Sequence, residues 1–170
     1  MKTKRRMPVD ERIKMRSENW PEAVTPVSQL MVRIYRVAGL VHANSMALAA
    51  THRLSLAEFE VLVTLRSVPS PYELVPTDLY GAVLMSSGGL TKVLHGLEKR
   101  GLIARSEGES DRRSKPLRLT AKGRVLAERA MADVLRSAHK LILSGLSQSE
   151  VARATHLLRK LLAALEGTAE

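Results

Sequence analysis

The sequence contains no cysteine, which excludes disulfides, thiolate-ligated zinc and any thiol redox switch together. Aromatic residues make up only 3% of it, as one Trp, one Phe and three Tyr. That is too few for the stacking platforms on which single-strand and RNA binders lay unpaired bases. No uninterrupted apolar run approaches the length of a membrane span, and residues 1–7 are basic without the apolar stretch a secretory signal needs. The chain is therefore expected to be cytoplasmic, with no membrane partner. Acidic residues are also scarce: 17 Asp and Glu stand against 27 Lys and Arg, a formal net charge of +10. The excess points to a polyanion, and the lack of aromatics favours duplex DNA over RNA.

Motifs for catalysis are missing as well. There is no phosphate loop, nucleophile elbow, His-Glu-x-x-His or glycine fingerprint, so neither an enzyme nor a cofactor is expected. His42, His52, His95, His139 and His156 are scattered, with no i, i+4 pair and no carboxylates at ligand spacing. No metal site is expected from them.

What remains is an ordinary globular balance, 45% hydrophobic and 26% charged over 170 residues, enough for one core plus arms that reach a partner. Residues 1–24 read as a basic extension. Seven Lys or Arg in residues 1–16 face only Asp10 and Glu11, the composition of a solvated, flexible arm. From Val27 to Leu48, apolar residues recur at helical spacing and predict a long amphipathic helix over 25–50. Ser55 caps a second helix carrying Leu56, Phe59, Leu62, Val63 and Leu65, ended by Pro69 and Pro71. Pro76 suits the first position of a short helix reaching Met85.

A fourth helix is expected over 86–100, stopped by Gly101. The period then shifts from 3.6 to 2: Leu102-Ile103 and Leu117-Arg118-Leu119 read as two strands of a hairpin turning at 108–111. Thr120 caps a helix to Leu143, Gly145 breaks it, and Ser147 starts a last helix with a leucine stripe. The expected fold is mainly α with a small β-hairpin: a central lobe over 51–120 bracketed by long helices over 25–50 and 121–166, with a tail at 167–170. Those long helices have more apolar face than the lobe can cover, which predicts a homodimer.

On the fourth helix, an advance of about 100° per residue puts Leu90, Val93, Leu94 and Leu97 on one arc. Gly88, Thr91, Lys92, His95 and Lys99 fall opposite, offering a hydroxyl, an imidazole and two cations to base edges or phosphates. Ser86 and Ser87 stand where a helix N-terminus attracts phosphate. Alone, this arc is equally compatible with an ordinary basic surface helix. The adjoining hairpin favours DNA, because Arg112, Arg113 and Lys115 at its tip suit the negative potential of a minor groove and Asp111 suits the orientation of an arginine. Two functional classes follow, a sequence-specific regulator and a winged-helix module that binds proteins or DNA without sequence choice.

The run from Leu84 through Leu94-His-Gly-Leu-Glu-Lys-Arg-Gly-Leu-Ile103, followed by Asp111-Arg-Arg-Ser114 and Leu117-Arg-Leu-Thr120, resembles the MarR family of bacterial regulators. The matching helix order covers about residues 25–166. The resemblance implies a winged helix-turn-helix homodimer that represses from a near-palindromic operator. Asp111 and Arg113 would serve as the wing's Asp-x-Arg, and Thr91 and Lys92 as recognition-helix residues. It also implies release by a small anionic, phenolic or lipophilic effector.

The extension with Trp20 and the segment Phe59-Glu-Val-Leu62 resemble the family's urate-responsive branch, which pairs an Asp with an Arg to couple ligand to the recognition helix. The corresponding positions here are Glu60 and Val93, and without a cation at 93 that coupling cannot operate unchanged. Trp20 and Glu60 are effector candidates on this resemblance. Tyr35, His42 and Met46 on the first long helix are open to either effector or core and dimer contact.

Overall fold

The computed structural model describes residues 7–83, 89–106 and 115–167. Within them the order is α1 (Val9–Asn19), a 3-10 turn (Pro21–Ala23), α2 (Pro26–Thr51), α3 (Leu56–Ser67), β1 (Glu73–Leu74), α4 (Pro76–Ala82), α5 (Leu90–Lys99), β2 (Ile103–Arg105), β3 (Leu117–Leu119), α6 (Ala121–Leu143) and α7 (Gln148–Leu165). The chain divides into two compact units, Met1–Ala47 and Leu48–Glu170.

The first unit corrects one expectation. Residues 9–19, read as part of a solvated arm, form α1. Its acids Asp10 and Glu11 lie in the first turn and Arg16 in the last, each matched to the helix dipole. Asp10 also accepts a 2.5 Å hydrogen bond from Arg33 on α2, which ties the two helices together. The α2 segment of this unit leaves Val27, Leu30, Met31, Val37, Leu40 and Val41 exposed.

In the second unit the signals are local and strong. Ser55 accepts from the Glu58 amide while the Glu58 carboxylate accepts from the Ser55 amide, a reciprocal cap that starts α3. Ser147 and Glu150 repeat the arrangement on α7. The end of α5 is a left-handed turn at Gly101 (φ 67°), in which Leu102 N–H donates to Leu97 and Gly101 N–H to Glu98. Helix α3 lies at the centre, packed on α4, α5, α6 and β3. Its Val61, Leu62 and Leu65 are fully buried with Leu79, Leu90, Leu97, Leu102, Ile103 and Leu117.

Two boundaries and one strand differ from expectation. Helix α4 ends at Ala82, not Met85, because Val83 is already extended (φ −86°, ψ 139°) and its buried side chain turns into the core. The sheet has three strands in the order β1-β3-β2, all antiparallel, where a two-stranded hairpin was expected. The extra strand pairs Glu73 with Arg118 and Leu74 with Leu117. It follows Tyr72, whose φ of 62° is rare for a side chain of that size, and whose carbonyl accepts from Leu119. The expected start of α5 at Ser86 and the expected turn at 108–111 lie outside the described residues.

Candidate nucleic-acid interface

Helix α5 separates by face as its spacing predicts. Leu90, Leu94 and Leu97 are buried and Val93 packs half-buried on the same core, while Thr91, Lys92, His95 and Lys99 are exposed. Lys92, His95 and Lys99 have no hydrogen-bond or ion-pair partner among the described residues. Free donors on one face of a rigid rod are what reading base edges and phosphates requires.

Four interactions hold the rod in place. At its start, the Tyr80 hydroxyl of α4 lies 3.3 Å from that of Thr91. Near its end, Glu98 pairs with Arg105 of β2 at 2.6 Å, tying α5 to the strand that leads to the hairpin tip. Beyond it, Arg100 donates to Glu58 at 2.9 Å, so the carboxylate that caps α3 also anchors the last turn of α5. Lys122 completes this anchor by donating to the Arg100 carbonyl at 2.9 Å.

The sheet is braced on Glu73. Its carboxylate accepts from Ser106 at 2.9 Å and lies 3.7 Å from Arg118, linking all three strands at the root of the hairpin. Arg105 and Arg118, the cations of the two hairpin strands, are thus engaged within the lobe. Lys115, two residues before β3, is half-buried and without a partner among the described residues. Ser86, Ser87, Gly88, Asp111, Arg112 and Arg113 lie outside the described residues.

The sequence reading missed Tyr80, Glu58 and Glu98. All three act through α5 and none carries a free donor toward solvent. Only their side-chain contacts reveal them, although Ser55 did mark the start of α3.

The effector candidates fall on separate elements, four in the first unit and Glu60 in the second. Trp20 is the C-cap of α1 and 64% exposed, His42 and Met46 are exposed on α2, and Glu60 is half-buried on α3. Tyr35 lines a groove of about 570 Å³ between α1 and α2, and Trp20, His42 and Met46 do not. No helix is long and apolar enough to cross a membrane among the described residues.

A short helix, a following exposed helix and a three-stranded antiparallel sheet on one core define a winged helix-turn-helix lobe. The profile of the MarR family matches residues 54–115, from the loop before α3 to the hairpin. The chain is 34% identical over 131 residues to the HTH-type transcriptional regulator PecS of Dickeya dadantii, covering 77% of this chain and 76% of that protein. It is 33% identical over 128 residues to the HTH-type transcriptional repressor Rv2887 of Mycobacterium tuberculosis, covering 75% of this chain and 89% of that one. It shares the fold of Sco3205, a MarR family transcriptional regulator of Streptomyces coelicolor solved in complex with DNA, at a TM-score of 0.69 and 21% identity over 84% of this chain and 89% of that one. The chain belongs to the MarR family. The proteins it resembles are regulators of transcription, not enzymes.

Proposed function

We propose that this protein regulates transcription in the cytoplasm by binding double-stranded DNA at specific sequences, as a homodimer that represses from a near-palindromic operator. The observation that carries this reading is the exposed face of α5. Thr91, Lys92 and His95 stand clear of internal partners, except that Thr91 shares its hydroxyl with Tyr80, while Glu58 and Glu98 fix the helix beneath them. Side chains held on a rigid helix reach base edges at small entropic cost. Lys99, one turn further, would hold phosphate. Arg112, Arg113 and Lys115 would enter the flanking minor groove, with Asp111 orienting Arg113. Ser86 and Ser87 would hold phosphate at the helix start, and Gly88 would face the bases with Thr91, Lys92 and His95.

Dimerisation is supported by the leucines of α7. Leu157, Leu158, Leu161, Leu162 and Leu165 are 40–74% exposed, and no residue of α7 is buried. A helix of 18 residues with its apolar stripe in water is stable only when that stripe is covered. A small anionic, phenolic or lipophilic effector would then release the dimer from DNA.

The test is a titration of labelled duplexes, one from the protein's own promoter region and one of random sequence, at several salt concentrations. Both should lose affinity steeply with salt as phosphate contacts release counterions. A promoter duplex bound at least about a thousandfold more tightly supports the reading. Equal affinity would leave only a DNA-coating module.

A further inference from the structure

Tyr80 on α4 and Thr91 on α5 bring two hydroxyls within 3.3 Å of each other. The tyrosine end is the firmer one. Its ring packs half-buried on the core and its neighbour Leu79 is fully buried, so the phenol has little freedom to move. Thr91 follows the fully buried Leu90, which fixes its backbone, but its own side chain is exposed. What stays open is rotation about its Cα–Cβ bond.

A helical threonine divides between two rotamers, and the place held by the methyl in one is held by the hydroxyl in the other. Contact with Tyr80 weights one of them. At 3.3 Å the pair is longer than the usual ~2.8 Å between hydroxyls, so the weighting is about threefold, the low end of what a hydrogen bond contributes. It turns the hydroxyl toward α4 and leaves the methyl as the free branch.

The two branches read different bases. A hydroxyl exchanges hydrogen bonds with several major-groove groups, guanine N7 and O6 among them, whereas a methyl makes its apolar contact with the C5-methyl of thymine. We propose that Tyr80 is a positioning residue that sets the base preference of Thr91: by drawing the hydroxyl aside, it makes Thr91 a reader of thymine. Lys92 beside it carries the donor that suits guanine, so the two neighbours divide the apolar and polar readout. This inference rests on the reading of α5 as the helix that selects DNA.

One arm of the test needs no DNA. In the free full chain, three-bond couplings to the labelled Thr91 methyl carbon report its rotamer populations. The parent should favour one rotamer about threefold, and Tyr80→Phe, which keeps the ring in the core, should lose most of that bias. Unchanged populations would overturn the positioning role. The second arm uses the duplex that the full chain recovers from a random pool, with each thymine of one half-site replaced in turn by uracil, which lacks only the C5-methyl. At one position the parent should lose about fourfold in affinity, the worth of one apolar methyl contact. Thr91→Val, with a methyl and no hydroxyl, should retain that loss, and Thr91→Ser should abolish it. In Tyr80→Phe the preference for thymine over guanine at that position should fall about threefold. The absence of any uracil-sensitive position that responds to Thr91→Ser, or an unchanged thymine preference in Tyr80→Phe, would overturn the inference. A pool that yields no preferred duplex would instead refute the reading of α5, with the couplings still deciding whether Tyr80 holds the rotamer.

Discussion

Gly123, in the first turn of α6, is the position where a single methyl group should do most harm. A Cβ there would lie 1.9 Å from the Leu102 carbonyl oxygen, 2.9 Å from the carbon of that carbonyl and 3.0 Å from Leu119 Cδ1. The carbonyl cannot swing aside cheaply, since it accepts from the Thr120 amide at 3.2 Å and from the Thr120 hydroxyl at 3.0 Å. That same hydroxyl accepts from the Gly123 amide at 3.0 Å to cap α6. Restoring ordinary contact requires a shift of about 1.5 Å, and overpacking of this kind costs about 1–3 kcal/mol. Loss of the cap adds about 1 kcal/mol, and the better helix propensity of alanine returns a similar amount. The net prediction for Gly123→Ala is a loss of about 1–3 kcal/mol. Gly81→Ala is the control, because a Cβ there meets nothing within 4 Å, and it should stabilise by roughly 0.5–1 kcal/mol. Urea unfolding at one fixed protein concentration reads both, with an unchanged slope confirming that only stability moved. A Gly123→Ala protein as stable as the parent would refute the packing described at the junction of β2, β3 and α6.

Further predictions concern DNA, assembly and pH. Lys92→Ala and His95→Ala should each cost about 1–3 kcal/mol on the specific duplex and far less on random duplex, whereas Lys99→Ala should weaken both alike and lower the salt slope by about one, as competition titrations would show. Arg113→Ala should weaken specific binding strongly, and an unchanged affinity would remove the wing from the account. Leu158→Glu with Leu162→Glu should shift the protein toward monomer in light scattering and reduce operator affinity at least about tenfold, since each monomer presents only one half-site reader. Asp133 is held below the usual carboxylate range, first by its hydrogen bond with His52 and then by Arg136. With the folded value depressed, its stabilisation is present above about pH 4 and is lost as the pH falls through the folded value. The stability gap between the parent and Asp133→Asn should therefore narrow on acidification below about pH 4 in pH-resolved urea unfolding.

Much of the fold was legible because its signals are local. Ser55, Thr120 and Ser147 announce α3, α6 and α7 by capping chemistry that needs no tertiary partner, and each accepts a backbone amide as expected. The faces of α5 followed from helical spacing alone. By contrast α1 was hidden by composition. Its start at Pro8 has no side-chain cap and it buries no residue, so its basic residues read as a solvated arm until Asp10 is seen to meet Arg33, 23 residues on. Strand β1 is only two residues long, too short for an alternating pattern, and exists because β3 offers an edge. The anchors of α5 were invisible for a similar reason. Glu58, Glu98 and Arg100 look like solvated charges in sequence, and only the fold brings Glu58 to Arg100, 42 residues away.

The central claim is that the outer face of α5 selects a DNA sequence. Its most direct test is to incubate the full chain with a random duplex pool, recover what binds and sequence it over successive rounds. The account predicts enrichment of one near-palindromic site whose half-sites lie about one helical turn apart. The same selection with Lys92→Ala and His95→Ala should relax the preference at particular positions of each half-site. A pool that stays random while still binding the protein would contradict it.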